Sequence, residues 1–422
     1  MIEEWLLDDP AELTRTDGSG LLLDLASAGA TVRRAVRLAG EAGLDALRPE
    51  GRPRAALVVG HGTAGLVGEL LAAVCGTASQ ITVLRPALPD PAEPHEPTGP
   101  AVSTAELRSD FSLGLNWTLP GWAGPSDLVL ILSTNGTEPG LTALAQQAYA
   151  RGCSIVSVAP AGSTLALATV QVRGLPLPFE SSEAAPEPAS GLDRDIPQEA
   201  PSALWGLLAP VLALADRIGL AAVPDSALQA AADRLDDLAV RCSPTAESFN
   251  NPAKTLAIEL DGFLPLLWSD GPGTAAVGSR FAAMLAARAG RPALTGLLPE
   301  ALTSQRGLFV GQLGTDAEED DFFRDRTEEA DALRLKLLLL RRTPQAQQAQ
   351  PESPSQPQPQ IQPTASPAVA RAHRLASDHQ VGIQELASTH VDTLDALAEL
   401  IALTDFAAVY LGLAASASSR IH

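Results

Sequence analysis

The chain has 422 residues, a length that suits two or three domains of ordinary size. Its 29 basic and 50 acidic residues give a net charge of −21, which repels nucleic-acid backbones and anionic lipid surfaces, so neither is expected as a partner. Hydrophobic residues make up 45% of the chain and aromatic residues only 4%, so the core must be built from Leu, Ala and Val, as in α/β proteins.

Three widely spaced cysteines, with no CxxC pair among them, predict free buried thiols and a reducing cytoplasm. The first ten residues, MIEEWLLDDP, lack the basic region of a signal peptide. No uninterrupted apolar run reaches the roughly 18 residues that a membrane span needs. We therefore expect a cytoplasmic protein without a membrane partner, and we predict no metal site and no cofactor.

The first elements in chain order are helices over residues 6–51, followed by a short apolar strand over 55–59. Residues 60–65, GHGTAG, form what we call the glycine turn, and a helix is predicted over 64–74. Backbone N–H groups at glycines approach a ligand closely, and the start of a helix favours negative charge. The glycine turn therefore suits a phosphate.

Three interpretations of the glycine turn remain open. Its G-x-G-x-x-G pattern fits a dinucleotide fingerprint, which predicts an acidic residue at the end of the second strand. That strand, predicted over 81–84, is followed by Arg85, which disfavours NAD and leaves NADP open. The turn could also simply close a strand–helix corner, or it could bind a sugar phosphate.

A second strand–turn–helix unit favours the sugar phosphate. A buried parallel strand is predicted over 128–132, a helix over 140–150 and a further strand over 153–158. Between the first two lie residues 133–137, STNGT, which we call the hydroxyl turn. Since the carboxyl ends of parallel strands share one edge of a sheet, we expect the hydroxyls of Ser133 and Thr137 to join the glycine turn around one anion.

Two Pro-rich acidic segments, at about 86–105 and 174–201, are predicted to be irregular insertions. His95 falls in the first and is expected to be solvated. Helices are predicted over 203–219 and 227–240.

The strand, glycine turn and helix pattern then restarts with LPLLWSDGPGTAAVGSRF, which predicts a second α/β domain. A strand over 335–340 follows, then a disordered Pro/Gln-rich loop over 343–367 and a buried closing helix over 391–413.

Several segments together resemble the sugar isomerase (SIS) superfamily, and within it the bifunctional phosphoglucose/phosphomannose isomerases. NWTLPGWAGPSDLVLILS is similar to the lead into the family's second phosphate turn, and STNGTE to its S-Y-S-G-N-T-E, shortened by one residue. NPAKTLAIELDGFLPLLWSDGPG resembles the opening of the second SIS domain, and LPE at 298–300 is a further shared segment.

The resemblance implies an α/β fold with two SIS-type domains, each a parallel sheet flanked by helices, in a homodimer. The domain boundaries that we predict are 1–51 for an N-terminal helical segment, 52–225 for the first SIS domain, 226–243 for a connecting helix and 244–422 for the second SIS domain. The implied ligand is a sugar phosphate or a similar small anion. The residues expected to bind it are Gly60, Gly62, Thr63, Ala64, Ser133, Asn135 and Thr137.

The family's aldose–ketose isomerisation uses a Glu, a His, an Arg and a Lys. In this sequence the first three positions hold Ala287, Thr303 and Ser202, and no lysine follows Lys336. In the phosphate turns, Ala64 replaces one family serine and Asn135 another. The resemblance therefore implies a sugar-phosphate binding protein with lost or reduced isomerase activity, acting in hexose-phosphate or mannose metabolism or its regulation.

Three alternatives stay open. An active isomerase could use relocated residues, with Glu300 or Glu247 as the base and an imidazole from His373, His379 or His390. An NADP-linked oxidoreductase would direct Arg85 at the glycine turn. A purely structural subunit would bind no small anion.

Overall fold

A computed structural model describes residues 4–48, 51–87, 115–181, 199–310, 334–342, 366–388, 390 and 392–421. His95 and most of the three predicted irregular segments lie outside these residues. The described chain divides into two compact units, Gly18–Asp236 (the first unit) and Met1–Asp17 with Asp237–His422 (the second unit).

Each unit has its own parallel sheet. The strands are β1 Ala55–Val59, β2 Gln80–Leu84, β3 Leu128–Leu132, β4 Ser154–Pro160, β5 Leu175–Phe179, β6 Phe263–Ser269, β7 Leu294–Leu297, β8 Arg334–Arg342 and β9 Gly382–Ser388.

Helices connect and cover these strands. They are α1 Glu4–Leu7, α2 Pro10–Thr16, α3 Leu21–Ala26, α4 Ala28–Ala39 with a π-helical turn Gly40–Leu44, α5 Thr63–Cys75, α6 Pro139–Ala150, α7 Thr164–Gln171, α8 Ala203–Arg217, α9 Asp225–Arg241, α10 Pro252–Leu260, α11 Pro272–Ala289, α12 Ala301–Ser304, α13 Arg306–Val310, α14 Pro367–Asp378 and α15 Thr393–Ile421. The predicted α/β class, with two parallel sheets flanked by helices, is confirmed.

The sheet of the first unit has the strand order β2-β1-β3-β4-β5. All residues of β1 and β3 are buried, as expected for apolar runs covered on both faces. The chain passes from β1 to β2 on one side and later to β3 on the other, so the order reverses between β1 and β3. Ligands of open α/β sheets bind outside the carboxyl ends of the strands at such a switch point.

The helix that follows the glycine turn packs closely on this sheet. A Cβ atom at Gly68 of α5 would lie 2.9 Å from Val83 Cγ2 and 3.1 Å from Val58 Cγ1. A glycine is therefore required there for α5 to approach the strands, and this packing fixes the start of α5 over the end of β1.

The sheet of the second unit has the order β7-β6-β8-β9, with its switch point between β6 and β8. Helix α11 follows β6 and packs against α15. Arg280 of α11 and Asp405 of α15 form a buried ion pair, with Nη2 and Oδ2 2.8 Å apart. A Cβ atom at Gly412 would lie 2.1 Å from the Arg288 carbonyl oxygen, so the two helix backbones touch.

The closing helix is a core element. Its stretch Thr393–Ala417 is long and apolar enough to cross a membrane, but 83% of the relevant window is buried inside the protein. Helices buried in a domain core can be apolar on most sides for this reason. The three cysteines, Cys75, Cys153 and Cys242, are free and buried, as predicted.

Two predictions about irregular segments were wrong at their ends. The segment predicted over 174–201 begins with strand β5, which pairs with β4. Pro176 and Pro178 obscured this strand, but prolines are tolerated at a sheet edge, where β5 lies. The loop predicted over 343–367 ends earlier, because Ser366 caps α14 and Pro367 is its first residue, where proline is favoured. Strand β9 and helix α7 were not predicted.

Candidate functional site

The glycine turn links β1 to α5 at the switch point of the first unit. Val59 is paired with Ile131 in the sheet, so the glycine turn and the hydroxyl turn begin side by side. A Cβ atom at Gly60 would lie 2.8 Å from the Ala64 Cβ atom and 3.1 Å from the Leu132 carbonyl oxygen. Only glycine fits where the strand end, the helix start and β3 meet.

Two hydrogen-bond donors, one from each turn, hold a single carboxylate. The backbone N–H of Thr63, the first residue of α5, donates to Glu199 Oε2 at 3.1 Å. The hydroxyl of Thr134 donates to Glu199 Oε1 at 3.0 Å. We call these two donors the oxyanion site. Gly62 lies beneath it with φ +56°, a conformation that favours glycine.

The hydroxyls that the sequence singled out have other partners. Ser133 is buried, and its hydroxyl lies 2.8 and 2.9 Å from the two carboxylate oxygens of Glu138 while accepting the N–H of Gly136 at 2.7 Å. Thr137 is exposed, and its hydroxyl lies 3.2 Å from Asn135 Oδ1. Thr134, which the sequence analysis passed over, supplies the hydroxyl of the oxyanion site.

An imidazole–carboxylate pair lies in the same two turns. His61 Nε2 is 3.4 Å from Glu138 Oε1, and the His61 ring stacks on Trp117 with a centroid distance of 6.3 Å. The side chains of His61 and Glu138 are 29% and 16% exposed, so the pair is partly shielded from water.

The two pKa values of this pair move apart. The interaction with Glu138 raises the pKa of His61, against the effect of burial. Burial alone would raise the pKa of Glu138, but the interactions with His61, its own backbone N–H and Ser133 together lower it. Both shifts favour the charged form of the group, so the pairing stabilises an imidazolium on the glycine turn beside the Glu138 carboxylate.

The oxyanion site can accept a group with two anionic oxygens, since charge-assisted N–H and O–H donors prefer such acceptors. His61 and Glu138 supply a proton donor and a proton acceptor beside it. Both residues lie in segments that the sequence analysis identified, GHG and STNGTE. It did not predict them as site residues, because it assigned anion binding to the glycines and hydroxyls of these segments. Among the residues that the structure describes, no group of three or more His, Cys, Asp or Glu side chains could hold a metal ion.

The three positions that the resemblance assigns to the family's Glu, His and Arg carry no titratable side chain. Ser202 is buried, and its N–H and hydroxyl donate to the buried carboxylate of Asp24 at 2.8 and 2.6 Å. Ala287 of α11 and Thr303 of α12 are both exposed. Glu300, the fallback acid or base, is exposed at the start of α12.

The remaining candidates make local contacts. In the second unit His373 contacts Glu385, His390 Nε2 lies 3.9 Å from Glu399, and His379 packs against the Phe309 ring. Glu247 is exposed.

Arg85, the residue on which an NADP interpretation depends, is 81% exposed and pairs with Glu69 at 2.8 Å. Glu69 is six residues into α5, about 9 Å along the helix from its first residue. Arg85 is therefore engaged well away from the glycine turn.

Comparison with known proteins identifies the type of fold. Residues 249–417 match the family model of the bacterial phospho-glucose isomerase C-terminal SIS domain. A hypothetical protein of Thermus thermophilus is 15% identical over 96% of this chain and 88% of its own, with a TM-score of 0.54. A protein of Silicibacter pomeroyi with the provisional name phosphosugar isomerase is 14% identical over 95% and 98%, with a TM-score of 0.53.

The C-terminal domain of glucosamine-fructose-6-phosphate aminotransferase of Francisella tularensis shares the fold at 8% identity, with 94% and 96% of the two chains covered and a TM-score of 0.52. No curated protein matches the chain. The fold and the family match define a protein built from SIS-type domains. Residues 249–417 are phosphoglucose isomerase-like, in agreement with the resemblance that the sequence shows.

Proposed function

We propose that this protein binds a sugar phosphate at the oxyanion site of the first unit and has lost, or nearly lost, aldose–ketose isomerase activity. The observation that carries the proposal is the pair of donors, Thr63 N–H and Thr134 hydroxyl, that hold both oxygens of one carboxylate at 3.1 and 3.0 Å. A phosphate monoester presents the same kind of anionic oxygen, and the N-terminus of α5 adds a favourable dipole.

The loss of turnover follows from the missing acid–base groups. Isomerisation needs a base that moves a proton between C1 and C2, and a positive charge that stabilises the enediolate. The methyl group of Ala287 and the hydroxyls of Ser202 and Thr303 supply neither at neutral pH. Removing a general acid or base lowers the rate roughly 10²–10⁴-fold. We therefore expect an isomerase rate lower than that of an intact enzyme by at least this factor.

Calorimetry and an enzyme assay on the full chain test this proposal. Glucose 6-phosphate, mannose 6-phosphate and fructose 6-phosphate are titrated by calorimetry, with unphosphorylated glucose as the control for the phosphate. A coupled isomerase assay uses the same preparation. We expect binding of the phosphate esters without ordinary isomerase turnover. Failure of all three esters to bind contradicts the binding site, and rapid interconversion contradicts the loss of activity.

A second candidate, an isomerase with relocated residues, is favoured by one observation. His61 and Glu138 form an acid–base pair between the two turns. However, C1 and C2 of a hexose 6-phosphate lie at the opposite end of the sugar from the phosphate, and a general base must come within about 3 Å of its proton. The pair therefore suits contact with the phosphate end. If turnover is found, H61N and E138Q should abolish it under this candidate.

Three expectations accompany the proposal: a homodimer and a role in hexose-phosphate or mannose metabolism or its regulation, both from the resemblance, and a cytoplasmic location, from the free cysteines. Sedimentation equilibrium of the full chain tests the first. A molecular mass of about twice the chain mass of 43.7 kDa is expected, and a monomer at all concentrations would contradict it.

A further inference from the structure

The oxyanion site is occupied by a side chain of the same protein. Glu199 places one carboxylate oxygen on Thr63 N–H and the other on the Thr134 hydroxyl. Its oxygens lie 3.5 and 3.6 Å from where a Cβ atom of Gly62 would be, an ordinary contact distance. A bound phosphate that used these two donors would have to displace Glu199.

A buried anchor fixes the backbone next to Glu199. Three residues further on, Ser202 gives both its N–H and its hydroxyl to Asp24, whose side chain is 2% exposed. Three residues of fully extended chain span at most about 11 Å. The anchor therefore keeps the Glu199 backbone close to the site, so the carboxylate can return to the two donors after displacement.

We infer that Glu199 is an internal competitor that determines which anions the site accepts; this inference rests on the proposed function. A tethered group acts at a high effective concentration, so a free ligand must bind more strongly than the carboxylate that it replaces. A sugar carboxylate has the same charge as Glu199 and gains nothing by the exchange. A phosphate monoester dianion has a larger charge and an additional acceptor oxygen, which strengthens its bonds to the same donors.

The ligand class follows from this competition. The site selects phosphate monoesters of sugars over sugar acids, although its two donors would accept either. His61, with its raised pKa, lies in the same turn and partly compensates the second carboxylate, Glu138, when a dianion enters. Binding of the dianion is therefore less opposed by charge than two neighbouring carboxylates alone would imply.

The test compares the wild-type protein with E199A and E199Q. Calorimetry measures the dissociation constants of glucose 6-phosphate and of glucuronate, a sugar carboxylate. We expect E199A to bind glucose 6-phosphate roughly tenfold more tightly, since one charge-assisted hydrogen-bond pair no longer has to be broken. Glucuronate should bind measurably to E199A only.

The control variant is E69Q. It removes the same charge from the first unit, but Glu69 pairs with Arg85 outside the oxyanion site. Its affinity for glucose 6-phosphate should equal that of the wild-type protein. E199Q preserves the side-chain shape without the charge, so it tests the inference if E199A does not fold.

The outcomes distinguish failure of the inference alone from failure of the proposed function. Equal affinity of wild type and both Glu199 variants for glucose 6-phosphate overturns the inference and leaves the proposed function standing. Absence of binding in all proteins overturns both. A third readout needs no ligand: the backbone amide resonance of Thr63 should shift in E199A and not in E69Q, and an unchanged resonance shows that Glu199 does not occupy the site.

Discussion

The switch points of the two sheets share a topology but differ in where their hydrogen-bond donors go. In the first unit, Thr63 and Thr134 donate to a carboxylate from a distant segment. In the second unit, the turn over residues 269–274 bonds to itself. Its Thr274 hydroxyl donates to Asp270 at 3.0 Å and accepts the N–H of Gly271 at 3.1 Å.

The difference shows that topology provides an edge for a ligand while the residues decide whether donors remain for it. The Ser269 hydroxyl likewise donates within the second turn, to the Thr274 carbonyl oxygen at 3.0 Å. Asp270, which directly follows β6, also opposes a bound anion by charge repulsion. Function therefore has to be argued from each site, since the two sheets alone would predict two equal sites.

The largest expected effect concerns how each unit holds the helix after its turn. Helix α5 packs through Gly68, whereas α11 is held by the buried Arg280–Asp405 pair. D405A removes the carboxylate that pairs with the buried Arg280 guanidinium and should lower the free energy of unfolding by about 3–5 kcal/mol. Urea unfolding measures this. The double variant R280M/D405L should recover most of the lost stability. A loss below about 1 kcal/mol for D405A would contradict the prediction, because exposed ion pairs contribute that little.

A second prediction tests whether the donors of the two turns differ in availability. In an E199A background, T134V removes one of the two donors and should weaken glucose 6-phosphate binding roughly tenfold. With Glu199 present the loss should be smaller, because the free and bound states both lose a bond to Thr134. T274V is the matched variant at the second turn and should leave the affinity unchanged. Equal losses of affinity for glucose 6-phosphate in T134V and T274V would contradict the claim that only the first unit has donors for a ligand.

A third prediction concerns the charge at the first switch point. The pKa of His61 is raised above 6.5 and that of Glu138 is lowered below 4.5. The His61 contribution to stability is complete below pH 6.5 and is lost as the pH rises through its folded value. The Glu138 contribution is complete above pH 4.5 and is lost as the pH falls through its folded value.

An NMR titration of the His61 ring measures this pair. We expect a pKa above 6.5 in the wild-type protein and a lower value in E138Q, because the partner charge is removed. E69Q should leave the His61 titration unchanged. An identical titration in wild type and E138Q would show that the pair does not form.

The smallest expected effect lies at the second switch point. Burial raises the pKa of Asp270 above 3.8, although its bonds to Thr274 and the Arg342 backbone and the charge of Arg341 lower it in part. Stability from this group is therefore lost as the pH rises through the folded value, opposite in sign to Glu138. D270N lacks this contribution, so the stability of the wild-type protein relative to D270N, from paired urea titrations at pH 3 to 6, should fall as the pH rises. A relative stability that increases with pH would contradict the sign.

Sequence reasoning predicted the elements that local pattern determines. The buried runs of β1 and β3, and the placement of two turns at one sheet edge, follow from apolar spacing and from parallel topology. Strand β5 was not predicted, because its prolines fit only at the edge of a sheet. Which strand lies at the edge depends on the strand order of the whole sheet, and local sequence does not give that order.

The occupant of the oxyanion site could not be predicted in the same way. Glu199 lies 136 residues from Thr63 in the chain, in a segment whose composition predicted only an irregular insertion. Nothing local distinguishes it from the other acidic residues there. His61 and Glu138 were within reach of sequence analysis, since both lie in the recognised turns, but their pairing depends on the register of β1 and β3.

The bond between Ser202 and Asp24 restricts which side chains position 202 can hold, and the resemblance places the family's arginine there. An arginine at position 202 would need room in a place where the serine side chain is 2% exposed, and it would remove the hydroxyl that satisfies Asp24. That single substitution would therefore disturb the interior of the first unit. A variant with arginine at position 202 should therefore need a second change at position 24.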